Sequence, residues 1–328
     1  MVVHPSITFL REERLPHILC EGCGIGTIVN ALLEAISELE VDREKLVFVS
    51  GIGCSSRVPG YLKFDSLHTT HGRALAFATG LKLANPELEV IVITGDGDMA
   101  SIGGNHFLHA ARRNIDILTI CVNNHTYGMT GGQASPTTPR KWKSTTTPYG
   151  AIEPPMDISK VAEAAGANYV ARWSTASPLQ IKEAINKAFQ KEGFRLVEVL
   201  SHCPTAFGRR NKLRTAIDML KWYKDHTISI EKAEKLGEKG EDLSAFVVVG
   251  ELVDRNEPGL CRLYGLTEKK EEEEKKIEKR MKKRDGIKID KEKILRLLEK
   301  LSSPRVRALM EEGEIEKAEN LLKGEDEK

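Results

Sequence analysis

Val90-Ile-Val-Ile-Thr-Gly-Asp-Gly-Asp98 and, after a helical stretch and a second apolar run, Cys121-Val-Asn-Asn-His-Thr-Tyr-Gly128 decide how this chain folds. Each apolar run is short, rich in β-branched residues and closed by small polar ones, the pattern of a buried strand. Taken as parallel neighbours joined by a crossover helix, the two strands place Gly95-Asp96-Gly97 and Asn123-Asn124 together at the carboxyl edge of one sheet. That edge is where open α/β folds bind ligands.

Working outward, strands are expected over 46–50, 90–94, 117–122, 169–172 and 195–200, and helices over 26–39, 73–84, 105–113, 158–165 and 178–190. The alternation predicts an α/β fold, a mostly parallel sheet with helices on both faces. The stretch 126–155 is rich in Gly, Thr, Ser and Pro without periodicity, and a connection that long is expected to be functional or disordered. Residues 1–240 are assigned to this domain and 241–328 to a charged, mostly helical C-terminal extension. A helix near 212–224 closes the domain, and 245–249 can add one strand. Farther on, 268–283 is a mixed-sign charge run, and Ile294, Leu298 and Leu301, then Val306, Leu309 and Met310, recur at helical spacing. The extension reads as a solvated appendage or as a docking arm for a partner subunit.

The chain has 328 residues and a formal net charge of +1, so no global field favours nucleic acid. No apolar run approaches the roughly 20 residues that span a bilayer. The first residues are charged throughout, without the apolar core of a signal peptide, and a cytoplasmic location is expected.

Asp96 offers a carboxylate oxygen and Asn124 an amide oxygen, hard ligands suited to Mg²⁺. Magnesium keeps phosphate oxygens in its octahedron, so a diphosphate is its natural companion, approached closely by backbone N–H groups at the glycines. His68-Thr-Thr-His71-Gly72 precedes a helix start, a ready anion site. His71 is expected to donate to a phosphate oxygen as neutral imidazole; His68 is equally readable as structural.

Six cysteines occur, and Cys20-x-x-Cys23 on a glycine turn invites a metal or redox reading rather than a disulfide. Cys54 follows the 46–50 strand and Cys203 follows the 195–200 strand, so each of these four sits at a turn or strand end. Four thiolates suit tetrahedral zinc or a [4Fe–4S] cluster, and spacing alone leaves both open. Cys121 lies within an apolar strand and reads as a core thiol; Cys261 has no companion.

The Gly-Asp-Gly and Asn-Asn pair resembles the thiamine-diphosphate-binding motif, which implies Mg²⁺ held by Asp96, Asn124 and the carbonyl of Thr126. With the Cys-x-Gly-Cys-Gly turn, Ile52-Gly-Cys-Ser55 and His68-Thr-Thr-His-Gly-Arg73, the chain over roughly 15–225 is similar to the β subunits of 2-oxoacid:ferredoxin oxidoreductases. Tyr127-Gly-Met-Thr-Gly-Gly-Gln-Ala-Ser-Pro-Thr-Thr-Pro139 is nearest the 2-oxoglutarate branch. The resemblance implies cofactor contacts at Ile52, Gly53, Cys54, Ser55, His71, Gly97, Asp98, Gly128 and Met129, and [4Fe–4S] ligands at Cys20, Cys23, Cys54 and Cys203. It implies oxidative decarboxylation of a 2-oxoacid with coenzyme A to acyl-CoA and carbon dioxide, the electrons passing through the cluster to ferredoxin. Glu21 stands where proline is common, and Arg57 where some relatives carry lysine, as a partner for an acidic substrate or as a plain surface residue. No second thiamine-type domain is legible, so an activating glutamate and the coenzyme A site are expected on an α-type partner subunit. The alternatives are a non-redox thiamine decarboxylase subunit with zinc at the cysteines, or a cofactor-binding subunit without chemistry of its own.

Overall fold

The computed structural model describes residues 5–39 and 41–267. Helix α1 (Ile25–Glu38) leads into β1 (Leu46–Ser50), and β2 (Asp65–His68), α2 (Ala74–Ala84), β3 (Glu89–Gly95), α3 (Gly104–Arg112) and β4 (Ile117–Asn123) follow. A small hairpin, β5 (Thr126–Tyr127) and β6 (Gln133–Ala134), precedes α4 (Ile158–Ala165), β7 (Tyr169–Ser174), α5 (Pro178–Phe189) and β8 (Phe194–Leu200). The described chain then runs through α6 (Ala216–His226), β9 (Thr227–Ser229), α7 (Ile230–Glu238), β10 (Val247–Asp254) and α8 (Leu260–Leu263).

The sheet has the order β2-β1-β3-β4-β8-β7-β10-β9. It is parallel from β2 through β7, and β10 runs antiparallel to β7 with β9 parallel beside it. Every residue of β4 and β8 is buried, as continuous runs must be when helices cover both faces. On one face α1 and α5 close over the sheet with Leu32, Ile36, Ile181 and Ile185; on the other, Leu75, Phe107 and Ile158 of α2, α3 and α4 do so. Leu32 is 1% exposed, and truncating it to alanine would cost about 2–5 kcal/mol through lost transfer energy and the hole left behind. Helix α4 is delimited as its sequence dictates: the Asp157 carboxylate accepts from the Lys160 N–H, and Gly166 takes the left-handed conformation that ends the helix.

The boundary expected at residue 240 is corrected. The strand anticipated over 245–249 is β10, which joins the main sheet through β7, and α8 beyond it docks on β4's approach, where the Asp116 carboxylate accepts from the Cys261 N–H at 3.0 Å. Residues 241–267 therefore belong to the sheet unit. The anticipated mixed-charge run and apolar stripes of 268–328 lie outside the described residues. The helix expected near 212–224 begins later, at Ala216, because Thr215 and Asp218 form a reciprocal capping box. Among the described residues no helix is long and apolar enough to cross a membrane.

Candidate functional site

Because β1, β2, β3, β4 and β8 are parallel, the segments leaving their carboxyl ends converge on one edge. These are Gly51–Ser55, Thr69–Gly72, Asp96–Asp98, Asn124–Met129 and Ser201–Cys203. Two of the junctions need glycine. A Cβ on Gly51 would stand 2.2 Å from Oδ2 of Asp98, so the β1 exit can lie against the β3 exit only without a side chain. A Cβ on Gly24 would stand 2.4 Å from Oγ of Ser201; its absence, with the Gly24 N–H donating to the His202 carbonyl at 3.0 Å, seats the Cys20–Cys23 turn on the β8 exit beside Cys203.

One hollow at this edge is lined by Ile52, Gly53, Cys54, Ser55, His71, Asp96, Gly97, Asp98, Asn124, Thr126, Gly128 and Met129, together with Gly95, Tyr127 and Thr130. Every residue expected to touch the cofactor or its metal thus shares a single cavity. Asp96 is 1% exposed, and its Oδ2 accepts from the Thr137 hydroxyl at 2.6 Å. Burial pushes its carboxyl up to about 6, against the pull of nearby hydroxyl and backbone donors. No cation pairs with it among the described residues. A buried carboxylate sharing a hollow with the Asn124 amide, and with no Lys or Arg to neutralise it, fits a hard divalent ion. A Cβ on Gly97 would stand 2.4 Å from the Tyr127 ring, which packs on this turn, whereas Gly53, at a φ of +131°, has open space where a side chain would be.

Asp98 lines this hollow as expected of a cofactor contact and also has a structural part. Its carboxylate is saturated by the protein: it accepts from the Gly72 N–H at 2.7 Å, the Thr94 hydroxyl at 2.8 Å and the Ile52 N–H at 3.3 Å, and pairs with Nδ1 of His71. At 3% exposure it pins three strand exits together from beneath the hollow. This corrects the reading of His71. With Nδ1 donating to Asp98, a neutral ring has only an acceptor at Nε2, so donation to a phosphate needs the doubly protonated ring. His68 is exposed, bonds Oγ of Ser50 at 2.9 Å and does not line the hollow. Arg57 is exposed and likewise outside it.

A second hollow adjoins the first and is lined by Cys20, Cys23, Cys54 and Cys203, with Ile18, Leu19, Pro204, Thr205 and Ala206. Cys54, Asn124, Gly128 and Met129 line both. Burial pushes the Cys23 thiol up to about 12 and the Cys54 thiol up to about 11, and the neighbouring cysteines repel a thiolate at either further. Thiols raised in this way become thiolates together only beside a cationic centre. The four sulfurs ring a space rather than converge: among the described residues no three or more His, Cys, Asp or Glu side chains are placed to hold one metal ion. Cys121 is fully buried in β4, and Cys261 is buried within α8; neither lines this hollow.

Residues that sequence reading passed over lie behind the site. Thr137, from the turn-rich stretch, also bonds Oδ1 of Asn123 at 2.8 Å; Nδ2 of Asn123 donates to Glu198 at 2.7 Å; and Nε of Arg172 donates to Glu198 at 2.8 Å. An Asn-Asn pair in which only the second residue was given a task was the available signal.

Residues 51–199 match the model of the thiamine pyrophosphate enzyme C-terminal TPP-binding domain. The chain is 55% identical over 268 residues to the 2-oxoglutarate synthase subunit KorB of Methanocaldococcus jannaschii, covering 81% of this chain and 98% of the relative. It is 52% identical over 268 residues to the subunit of the same name from Methanothermobacter marburgensis, covering 81% and 93%. Among solved structures, 2-oxoglutarate:ferredoxin oxidoreductase from Magnetococcus marinus, with 2-oxoglutarate, coenzyme A and succinyl-CoA bound, superposes with a TM-score of 0.70 at 34% identity, over 92% of this chain and 97% of that one. The saturated Asp98, the two touching hollows and these likenesses lead to one assignment: the chain belongs to the KorB family, the thiamine-diphosphate-binding β subunits of 2-oxoacid:ferredoxin oxidoreductases.

Proposed function

We infer that this chain is the β subunit of an enzyme that oxidises 2-oxoglutarate with coenzyme A to succinyl-CoA and carbon dioxide, handing two electrons singly to ferredoxin. The observation that carries this is the contact between the hollows, where Cys54 and Gly128 border the cofactor on one side and the cysteines on the other. Cysteines holding a cluster there would stand next to bound cofactor with no intervening layer of protein.

Asp96, Asn124 and the carbonyl of Thr126 would hold Mg²⁺, and through it the diphosphate. Bound thiamine diphosphate supplies a nucleophilic carbon and an electron sink for decarboxylation; the protein supplies position and electrostatics. Asp98 keeps the three exits in register, and the half-exposed Ile52 and Met129 give the hollow an apolar mouth that limits water. Cys20, Cys23, Cys54 and Cys203 would hold a [4Fe–4S] cluster rather than zinc. A Zn–S bond of about 2.3 Å requires sulfurs that meet at a point, whereas these surround a cavity. No glutamate lines the cofactor hollow among the described residues, which supports an activating glutamate, and the coenzyme A site, on an α-type partner subunit. We place the assembly in the cytoplasm, with ferredoxin and coenzyme A.

Anaerobic reconstitution with the partner subunit tests this. Expected are iron and acid-labile sulfide in equal amounts, and viologen reduction that requires both 2-oxoglutarate and coenzyme A. Turnover by the chain without a partner, or cysteines loaded with zinc in an active enzyme, overturns it.

A further inference from the structure

We propose that the exposed basic surface formed by 139–143 and 208–214 is the docking face for a small acidic protein that carries one electron at a time; this rests on the redox reading above. The chain as a whole is nearly neutral, yet no Asp or Glu occurs between Asp116 and Glu153, nor between Glu198 and Asp218. Within those acid-free stretches lie Arg140, Lys141 and Lys143, and Arg209, Arg210, Lys212 and Arg214. All seven are exposed. Among the described residues none of them enters an ion pair.

The two stretches form one surface because their backbones are tied together. The Lys143 N–H donates to Oδ1 of Asn211 at 2.8 Å, and Nδ2 of Asn211 donates back to the Lys143 carbonyl at 3.0 Å. Beneath them Trp142 stacks on Phe207, with ring centroids 5.1 Å apart and planes 4° from parallel. The same surface is tied to the cysteine hollow. The Gly208 N–H donates to the Cys203 carbonyl at 2.9 Å, and the Arg209 N–H to the Pro204 carbonyl at 2.9 Å. The turn that carries the arginines is therefore the continuation of the turn that carries a cluster cysteine.

Like charges crowded within a Debye length of about 8 Å repel. Some surface cations of this chain are offset by carboxylates, as at Lys182–Glu38 and Lys191–Asp254, but these seven also lie in stretches that hold no acid at all. Leaving them unpaired beside the electron exit creates a field that steers an anionic partner and orients it on arrival. The charges are spread over two open loops rather than gathered round a pocket, which suits an acidic protein face. Transfer requires close approach and rapid release, and an exposed electrostatic surface provides both.

In the assembled enzyme, the charge reversals R140E/K143E and R209E/R210E are compared with K232E/K235E on α7. The electron acceptor is either an acidic ferredoxin or methyl viologen, which needs no docking face. The basic-face variants are expected to raise KM for the ferredoxin by about tenfold or more, and to lose most of its salt dependence. Their viologen turnover should match the parent, and the α7 variant should match it with both acceptors. An unchanged ferredoxin KM, an equal effect from the α7 reversal, a raised KM for coenzyme A instead, or failure to assemble with the partner subunit would each overturn the assignment. Failure of the underlying redox reading looks different, since the parent enzyme would then reduce no viologen.

Discussion

The hydroxyl of Thr137 stands 2.6 Å from Oδ2 of Asp96, joining a loop residue to the carboxylate that would bind magnesium. It also stands 2.8 Å from Oδ1 of Asn123, whose amide is oriented by donating from Nδ2 to Glu198 and accepting at Oδ1 from the His125 N–H. A hydroxyl has one proton to give. With Asp96 ionised, that proton goes to the carboxylate and fixes Oδ2.

Thr137→Val keeps the shape and removes that proton. Losing one charge-assisted hydrogen bond should weaken Mg²⁺-dependent binding of thiamine diphosphate by about tenfold, near 1.4 kcal/mol. Thr137→Ser should bind as the parent does. Calorimetric titration with cofactor at varied Mg²⁺ reads this without turnover. Equal affinities for the valine and serine variants would show that Thr137 only fills space.

Asp96 makes stability depend on pH in a stated direction. Its folded-state carboxyl is raised to about 6 by burial, above its ordinary value near 3.8. The folded chain therefore holds an extra proton between these values, and in the absence of metal its stability falls as pH rises through this window. The loss is on the order of 3 kcal/mol once the group is fully ionised. Mg²⁺ with thiamine diphosphate relieves it, so the ligand-induced rise in melting temperature should be large at pH 7.5 and small at pH 5. Asp96→Asn should melt no lower than the parent at pH 7.5 without ligands and gain little from adding them. A parent that is equally responsive at both pH values would remove Asp96 from the metal site.

Much of this site was legible because its residues sit at the ends of unmistakable strands. Gly-Asp-Gly after β3 and Asn-Asn after β4 gave both the edge and the candidate ligands, and β1 and α4 fall where the pattern placed them. The motif marks Asp98 as a cofactor contact but says nothing of the bonds its carboxylate makes. Only the β1 and β2 exits, distant in sequence, reveal that its acceptors are already taken. Thr137 was invisible for a related reason: 126–155 has no periodicity, and its order comes from side chains such as Thr137, Thr138 and Ser144 bonding to remote or backbone partners. The boundary at 240 failed because β10, beyond it, adds to the sheet's far side antiparallel to β7.

Asp98→Asn tests the pinning role. One amide oxygen remains to accept where two carboxylate oxygens served, and the new NH₂ faces the Thr94 hydroxyl or the Gly72 N–H. Leaving a buried donor unsatisfied and removing the charge that holds His71 should cost about 2–4 kcal/mol of unfolding free energy. Urea denaturation of the cofactor-free chain measures it. A variant as stable as the parent, yet unable to bind thiamine diphosphate, would return Asp98 to the role of a direct cofactor contact.

Arg172 and Glu198 support the site from behind, and the energetics of their pairing can be isolated. Both are buried, Nε of Arg172 lies 2.8 Å from Glu198, and a further guanidinium nitrogen pairs with Asp157. Burial alone would raise the Glu198 carboxyl, but Arg172 and the Ser159 and Asn123 donors outweigh it and hold it below the usual range. Arg172→Met strands that carboxylate without a cation, at a cost of about 3–5 kcal/mol near neutral pH. Stability of this variant should recover as pH falls and Glu198 takes up a proton. Adding Glu198→Gln should restore at least half of the loss at pH 7.5, because its amide oxygen can still accept from Asn123 while its NH₂ donates to the Ser159 hydroxyl oxygen. If the double variant is no more stable than Arg172→Met, the arginine acts by packing and its charge is incidental.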